Sequence, residues 1–244
     1  MPKQARRPRR SSAAAAATRR HVKRDPTFTR ERLLQAAVTE FCGNGFNGAR
    51  VERIVRTAKS NPRMLYHYFG SKSGLYVAVL ERCYGELRAL ERALKLNDLP
   101  PVEGMRRLMD FTFDHFGNHP GLIHLINNEN LLRARFLRQS LGIRAMTSPL
   151  VAAIRDLLRR GERDGSFRRG IDPIQLYVSI TALSFFHVSN CHTLSALFEA
   201  DLAAPAWIAA RREHAREMLL AYLRPPAAAR AAERSGAALA LAQA

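Results

Sequence analysis

Apolar residues recur at helical spacing along most of this chain, and the pattern is sharpest near residue 50. Four apolar residues at positions i, i+3, i+4 and i+7 predict an amphipathic helix of about two turns: Val51, Ile54, Val55 and Ala58. Asn61 and Pro62 follow, and these residues suit the N-cap and the first position of a new helix. The pattern therefore predicts a helix-turn-helix.

The second of these helices has two unlike faces. A step of about 100° per residue places Leu65 and Phe69 together on the packed side. The remaining positions point elsewhere, with Arg63, Met64 and His67 on the opposite side and Tyr66 and Tyr68 on the flanks. A helix-turn-helix predicts DNA binding, and the major groove of DNA is about 12 Å wide. Tyrosine hydroxyls on the flanks of the helix can reach phosphates on either wall of this groove. Ser71 is a candidate N-cap for the next helix, and Lys72 would face the same DNA backbone as the free amides there.

The helical period continues to residue 223, with breaks at glycine and proline. The first helix is expected at 29–44, ended by Gly43 or Gly45. Further helices are predicted at 72–96, 102–117, 120–139, 147–164, 172–199 and 205–223. One of the breaks between them is expected at 142–149. Because no pair of strands is evident, we predict an all-α chain with a three-helix DNA-binding domain and a larger helical domain.

Positive charge is concentrated at the N-terminus. The chain has a net charge of +18, and residues 1–24 contain nine Lys or Arg and no acidic residue. Such a segment has too few apolar residues to bury a core. We therefore expect four parts: a disordered basic tail at 1–26, a helix-turn-helix domain at 27–74, a helical domain at 75–224 and an Ala-rich disordered tail at 225–244.

The sequence favours a cytoplasmic protein. The alanine run after the N-terminal Arg pairs is shorter than the roughly 7–15 apolar residues of an export signal, although the composition leaves a transit peptide as an alternative. No run reaches the roughly 18 apolar residues that span a membrane. Cys42, Cys83 and Cys191 are odd in number and far apart in sequence, as expected of reduced thiols, and none has the spacing of a metal pair.

The run Leu-Tyr-His-Tyr-Phe-Gly-Ser-Lys at 65–72 resembles the most recognisable segment of TetR-family transcriptional repressors. The resemblance extends over the helix-turn-helix and the helix before it. It implies that Tyr66, Tyr68 and Lys72 contact phosphates and that residues 63–67 contact bases. It also implies a DNA-binding transcriptional regulator, with repression favoured, that lies on the nucleoid when it is bound to DNA.

Three positions depart from the family pattern. Lys59 stands where the turn usually has glycine, so a left-handed backbone there would cost roughly 1 kcal/mol, and a different turn is the alternative. Ala49 or Arg50 replaces the threonine that caps the second helix, a cap worth roughly 0.5–2 kcal/mol. Arg50 then becomes a candidate DNA contact. Arg63 replaces a small residue, and an arginine there can bind guanine.

The resemblance further implies a homodimer with a small effector inside the domain at 75–224. The segment 174–192 is more apolar than one subunit can bury, so we expect it to pair with the last helix across a four-helix interface. A twofold dimer predicts a pseudo-palindromic operator. Residues 48–54 and 75–80 resemble the branch that contains the pyrimidine-utilisation regulator, which senses uracil-like bases.

Aromatic and polar side chains in the helical domain define a candidate effector pocket. The candidates are Phe113, Phe116, Asn127, Asn130, Phe186, His187 and Asn190. The polar residues near 127–133 interrupt an otherwise apolar helix and are expected to face inward. Either they bind a ligand or they hydrogen-bond a neighbouring helix, and the second interpretation is favoured.

Two other classes of function are alternatives to a regulator. The first is an architectural protein that binds DNA without sequence preference through its basic arms. The second is a helical enzyme with a metal at His115, His119 and His124, but Pro120 and Gly121 break the register between these histidines. The match to G-x-G-x-x-G at 43–48 follows a helix rather than a strand, so it is interpreted as a helix-ending turn. No enzyme activity, cofactor or metal is expected.

Overall fold

The computed structural model of the protein describes residues 26–226, and every regular element in that range is helical. The α-helices are α1 (Pro26–Gly48), α2 (Val51–Thr57), α3 (Pro62–Phe69), α4 (Lys72–Ala93), α5 (Pro101–Asn118), α6 (Pro120–Leu131), α7 (Leu141–Arg163), α8 (Pro173–Ser189), α9 (Cys191–Phe198) and α10 (Pro205–Leu223). Short 3-10 turns lie at Leu96–Asp98 and Leu137–Gln139. The all-α prediction is confirmed. The predicted tails at 1–26 and 225–244 lie almost entirely outside the described residues.

Helices α1 to α3 and the start of α4 supply most of one apolar core, which we call the head core and to which Leu125, Phe136 and Ile143 also belong. Its most buried members are at most 1% exposed and come from all four helices: Leu33, Ala37, Phe41, Ile54, Leu65, Leu75 and Val79. The stripe predicted on α2 faces this core. Burial of one large apolar side chain contributes roughly 1.5–3 kcal/mol, so the packing holds α2 and α3, two short helices that would not be stable alone.

Helix α4 belongs to both parts of the molecule, the head, which is α1 to α3 with the start of α4, and the body, which is the rest of the described chain. Leu75 and Tyr76, near its start, are completely buried in the head core. Leu87, three turns later, packs with Phe116 and Ile123 in the body. The domain boundary expected at 74/75 therefore falls inside a continuous helix and stays a prediction.

Helix α5 is the central helix of the body and packs against α7, α8 and α10. The body core is built from buried residues of these helices, among them Met105, Leu108, Met109, Ile154, Leu157, Ile180 and Leu219. A Cβ at Gly104 would lie 2.5 Å from Leu157 Cδ2, so the close approach of α5 and α7 requires glycine there. No helix within residues 26–226 is long and apolar enough to cross a membrane.

The break expected at 142–149 is wrong. Helix α7 begins directly after Ser140, whose Oγ accepts the N–H of Ile143 at 3.2 Å. Pro149 lies inside the helix with its ring exposed. A proline there removes one helical hydrogen bond, but Leu150 and Ile154 are buried in the body core directly after it. Tertiary packing thus keeps the chain helical through a residue that usually ends a helix.

Two other helices end earlier than expected. The helix predicted at 120–139 stops at Leu131, because Arg133 and Ala134 take left-handed conformations with φ of 55° and 56°. The helix predicted at 172–199 divides at Asn190 into α8 and α9. The sequence carries no glycine or proline at either place, so neither break has a local signal.

Candidate nucleic-acid interface

The turn between α2 and α3 has a left-handed residue at Lys59, with φ of 46°. The alternative of a different turn is therefore wrong, and the lysine accepts the strain that glycine would avoid. Arg32 of α1 supports the turn, because its Nε donates to the Ala58 carbonyl at 3.0 Å and its Nη2 donates to the Lys59 carbonyl at 2.8 Å. Long-range hydrogen bonds thus hold a backbone that the local sequence disfavours.

The start of α2 is held by a carboxylate from α1. Arg50 is the N-cap residue and its side chain makes no capping hydrogen bond, as the missing threonine predicts. Glu40 Oε1 instead accepts the backbone N–H of Arg50 at 2.9 Å and the Nε–H of Arg53 at 2.8 Å. Arg53 Nη2 also donates to the Gly48 carbonyl at 2.7 Å. Glu40 has no local capping signal in the sequence, because it lies ten positions before the amide that it caps.

The two caps expected around α3 are both present. Asn61 Oδ1 accepts the N–H of Met64 at 3.0 Å, and Pro62 occupies the first turn. Ser71 Oγ accepts the N–H of Gly74 at 3.0 Å and begins α4. The two hydrogen bonds fix the first turn of α3 and the first turn of α4, so both ends of α3 are joined to defined backbone.

Helix α3 buries one face and exposes the other, with one difference from the sequence expectation. Leu65 is completely buried, whereas Arg63, Tyr66 and His67 are exposed. Tyr68 is half-buried, and its ring meets that of His67 edge to face at 5.2 Å. The placement of Met64 opposite the packed side is wrong in part, because its side chain packs against the edge of the head core.

Lys72 lies beside the start of α2. Its Nζ is 4.9 Å from the centre of the Phe46 ring, and its side chain is half-buried. This burial lowers the pKa of Lys72 below its usual value, while the nearby Glu40 carboxylate acts in the opposite direction. Arg50 is exposed at the N-cap of the same helix. The described surface near α2 and α3 therefore carries positive charge from Arg50, Arg63 and Lys72.

Comparison with known proteins gives the family. The chain matches the model of "Bacterial regulatory proteins, tetR family" over residues 33–79 and that of "Tetracyclin repressor-like, C-terminal domain" over residues 101–219. The HTH-type transcriptional repressor NicS of Pseudomonas putida is 38% identical over 175 residues, which are 72% of this chain and 82% of that protein. The chain belongs to the TetR family.

Other relatives agree with this assignment. The HTH-type transcriptional regulator RutR of Escherichia coli is 25% identical over 195 residues, which are 79% of this chain and 89% of RutR. A crystal structure of a Streptomyces coelicolor transcriptional regulator is 28% identical, with a TM-score of 0.59 over 81% of this chain and 99% of that chain. The TetR-family protein described here is therefore a DNA-binding transcriptional regulator and not an enzyme, and its named relatives include repressors.

The three histidines of the metal-enzyme alternative, His115, His119 and His124, make other contacts in this TetR-family chain. The His115 and His119 rings stack at 4.1 Å, and His119 Nδ1 forms a hydrogen bond with the His115 carbonyl at 2.8 Å. His124 Nδ1 does the same with the Cys42 carbonyl at 3.0 Å. Within residues 26–226, no group of three or more His, Cys, Asp or Glu side chains is placed to hold a metal ion.

Only two of the seven candidate effector residues line a common cavity. A half-open cavity of about 250 Å³ is lined by Phe113 and His187, together with Gly117, Leu202 and Ile208 among others. The Phe113 and His187 rings stack at 4.6 Å. Burial lowers the pKa of His187 to about 4, and the charge of Arg211 acts in the same direction. A weaker interaction with the Leu183 backbone raises the pKa of His187 and offsets part of this decrease. His187 is therefore neutral at pH 7.

The other five candidates lie elsewhere. The prediction that Asn130 and Phe186 face inward is wrong. Asn130 is exposed near the end of α6, and Phe186 is 55% exposed on α8. Phe116 is buried against Phe185 at 5.4 Å. Asn190 donates to the Phe186 carbonyl at 3.0 Å, as a residue at the end of α8 commonly does.

The polar segment of α6 joins helices rather than lining the cavity. Asn127 Nδ2 donates to Ser189 Oγ of α8 at 3.0 Å. Asn128 Oδ1 accepts the backbone N–H of Phe46 at 3.2 Å and contacts the Tyr76 hydroxyl at 3.5 Å. Asn128 also explains Gly45, since a Cβ there would lie 2.6 Å from the Asn128 amide nitrogen. The favoured interpretation of the polar segment, hydrogen bonds to neighbouring helices, therefore holds for Asn127 and Asn128.

A second cavity, of about 360 Å³, lies between the end of α4 and α7. It is lined by charged residues such as Arg88, Glu91 and Lys95 and by apolar ones such as Leu150 and Ala153. Arg88 and Glu91 form a buried ion pair at 2.6 Å. The charges at this cavity are therefore partly compensated within the protein.

We expect Glu40→Gln to lower the free energy of unfolding by about 1 kcal/mol at pH 7, because the amide replaces a carboxylate that binds Arg53 and the α2 amide. Arg53 holds the pKa of Glu40 below its ordinary value of 4.5. The stabilisation is thus fully present above pH 4.5 and is lost as the pH falls through the lower folded-state pKa. Urea unfolding of both proteins at pH 7 and below pH 4 measures the difference.

The matched control is Glu31→Gln. Its carboxylate also binds an arginine, Arg82, at 2.6 Å, but its side chain is 48% exposed. A surface pair of this kind contributes roughly 0–1 kcal/mol. An effect of Glu40→Gln no larger than that of the control, or one that grows as the pH falls, contradicts the capping role.

Proposed function

We propose that this regulator binds a pseudo-palindromic operator as a homodimer, acts on the nucleoid as a repressor, and is released by a small-molecule effector. The observation that carries the proposal is the division of α3 into a completely buried Leu65 and an exposed face with Arg63, Tyr66 and His67. A helix held in this way can enter a major groove without losing its own packing.

The side chains of the head supply two kinds of DNA contact. Arg63 can donate two hydrogen bonds to a guanine edge, and His67 lies one turn further along the same exposed face. Arg50, Tyr66, Tyr68 and Lys72 are assigned to phosphates, which supply most of the affinity but little sequence preference. Met64 is left out, because its side chain packs against the head core.

The exposed apolar surface of α8 to α10 supports a homodimer. Residues that are at least 39% exposed lie on these three helices at Ile174, Val178, Phe186, Leu197, Phe198, Ile208, Met218 and Tyr222. On α8, Ile174, Val178 and Phe186 recur at multiples of four residues, so they form one stripe. A second copy covers such a stripe with an identical one in a twofold interface. Phe186 is therefore assigned to the dimer interface rather than to the effector pocket.

The cavity at Phe113 and His187 is the proposed effector site. It combines the stacked rings of Phe113 and His187 with an imidazole that is neutral at pH 7, so one ring nitrogen can donate a hydrogen bond to a ligand or accept one from it. A volume of about 250 Å³ suits a molecule of one or two rings rather than a long acyl chain. The second cavity is less suited, because Arg88 and Glu91 already pair there.

Arg63→Ala is expected to cost roughly 1–3 kcal/mol on the best operator and to relax the preference at one base pair. Lys72→Ala should weaken binding to all sequences alike and reduce the salt slope by about one unit. Arg106→Ala, on the exposed surface of α5, is the control and should change neither quantity. Fluorescence anisotropy with operator and random duplexes at several salt concentrations measures both. Equal losses for Arg63→Ala on the two duplexes contradict a base contact.

Val178→Glu is expected to convert the dimer to monomers, because it places a charge in the middle of the α8 stripe. Leu131→Glu is the matched control: Leu131 is 84% exposed on α6, away from that stripe, and the variant should stay dimeric. Sedimentation velocity of the three proteins decides between the outcomes. A dimeric Val178→Glu protein would exclude this face from the interface.

His187→Phe is expected to weaken operator release by the effector at least tenfold, because it removes the ring nitrogens and keeps the stacking shape. Effector candidates are found first, as small metabolites that raise the melting temperature of the wild-type protein. Ala153→Phe, which fills part of the second cavity, is the control and should respond normally. The reverse result, with the response lost in Ala153→Phe alone, would place the effector in the second cavity.

A further inference from the structure

The chain between α6 and α7 carries positive charge that the protein does not neutralise. We call residues 132–140 the arginine loop. The loop contains Arg133, Arg135 and Arg138 and no acidic residue, and all three arginine side chains are exposed. Within residues 26–226, no acidic side chain forms an ion pair with any of them. These guanidinium groups are therefore available to a partner outside the chain.

The backbone of the arginine loop is held by both neighbouring helices. Glu129 of α6 accepts two of its N–H groups, that of Ala134 with its carbonyl at 2.6 Å and that of Leu137 with Oε2 at 2.9 Å. At the end of the loop, Ser140 Oγ donates to Glu81 Oε1 of α4 at 2.7 Å. Because the backbone is already ordered, the arginines lose less conformational entropy on binding than they would on a mobile loop.

The arginine loop lies beside the phosphate contact expected at the start of α4. Phe136 is 1% exposed in the head core and anchors the loop there. Lys72 Nζ is 4.9 Å from the centre of the Phe46 ring, and that ring is 4.4 Å from the Phe136 ring. Arg135 Cζ is 5.3 Å from the centre of the Phe136 ring. At most about 15 Å therefore separates the two charges, which equals about four nucleotides of a DNA strand at 3.4 Å each.

We propose that the arginine loop is a second DNA-contacting surface, outside the helix-turn-helix, that binds phosphates a few nucleotides from the one at Lys72. The proposal rests on the assignment of Lys72 to a phosphate in the proposed function. It does not depend on the effector or on the dimer.

The chemistry of the loop matches a phosphate backbone rather than base edges. A guanidinium group can donate two parallel hydrogen bonds to one phosphate. DNA carries one negative charge per about 1.7 Å of helix axis, and charges interact over about 10 Å at 0.1 M salt. Arg135 is the arginine placed by the ring contacts, and Arg133 and Arg138 add charge on either side of it in the chain. Contacts of this kind raise the affinity for all sequences and add no sequence preference.

The first experiment measures the salt dependence of DNA binding by fluorescence anisotropy. Arg135→Gln should reduce the slope of log affinity against log salt by about 0.9, and it should lower affinity at 0.1 M salt roughly three- to tenfold on operator and random duplexes alike. The triple variant Arg133→Gln/Arg135→Gln/Arg138→Gln should reduce the slope further. Arg135→Lys keeps the charge and should retain the wild-type slope.

Arg169→Gln is the matched control. Arg169 is also an exposed arginine on a connection between helices, but the 23 residues of α7, roughly 34 Å of helix, separate the two connections. The control should keep the wild-type slope. Equal losses in Arg169→Gln and Arg135→Gln overturn the proposal, as does an unchanged slope in the triple variant, which would leave the loop to an acidic protein partner.

A further variant separates charge from folding. Arg135 contacts the Phe136 ring, so its replacement can weaken the head core, and the melting temperature of each variant is measured. Arg138→Gln lies outside this ring contact and should also lower the slope. A slope that falls in Arg135→Lys as far as in Arg135→Gln, with no change in Arg138→Gln, would assign the effect to the ring contact and overturn the proposal.

The second experiment locates the contact on the DNA by phosphate ethylation interference with the operator. Arg135→Gln should lose interference at phosphates up to about four nucleotides from those lost in Lys72→Ala. Loss of the same phosphates in both variants overturns a separate contact. Loss in Lys72→Ala without any in Arg135→Gln overturns this inference alone and leaves the proposed function standing. An absence of interference with the wild-type protein overturns both.

Discussion

The burial of Tyr76 among three phenylalanine rings holds the DNA-binding helices on the body. Its ring meets Phe41 at 4.9 Å, Phe46 at 5.2 Å and Phe136 at 5.1 Å, and the Tyr76 side chain is completely buried. These rings come from α1, from α4 and from the chain between α6 and α7. Burial and a neighbouring carboxylate, Glu129, raise the pKa of the Tyr76 hydroxyl, so the group stays protonated at neutral pH. This cluster adds to the other connections between the two parts, which are the continuous helix α4 and the hydrogen bonds of α6 with Phe46 and Cys42.

The same cluster defines how a change in the body can reach the head. His187 of α8 lies two residues before Ser189, which accepts a hydrogen bond from Asn127 of α6. The next residue, Asn128, accepts the N–H of Phe46 in α1. We therefore infer that a ligand that moves α8 acts on a hydrogen bond of the head through these two hydrogen bonds of neighbouring α6 residues. Any such coupling is reciprocal, so DNA must weaken effector binding by the factor by which the effector weakens DNA binding.

Local signals in the sequence were enough to locate the DNA-binding helices. The caps at Asn61 and Ser71 and the stripe from Val51 to Ala58 act over three to seven residues, and all are present in the fold. Glu40 and Arg32 could not be found in this way, because each stabilises backbone that lies ten or more positions away along the chain. Asn128 lies in a polar segment for which hydrogen bonds to a neighbouring helix are expected, but its partner, 82 positions away, carries no local signal. The helix break predicted at Pro149 is wrong for the opposite reason. Packing of the following turn in the body core outweighs a strong local signal. Asn130 and Phe186 show that residue type alone does not tell which face of a helix is buried.

The central claim is that the exposed face of α3 selects one DNA sequence as part of a twofold dimer. Selection of bound fragments from the source genome, followed by footprinting with the reduced protein, tests it most directly. The account predicts a pseudo-palindrome with two protected half-sites about one DNA turn or more apart, bound roughly 10³-fold or more tightly than random DNA. Fragments without a common sequence, bound no better than random DNA, would contradict it.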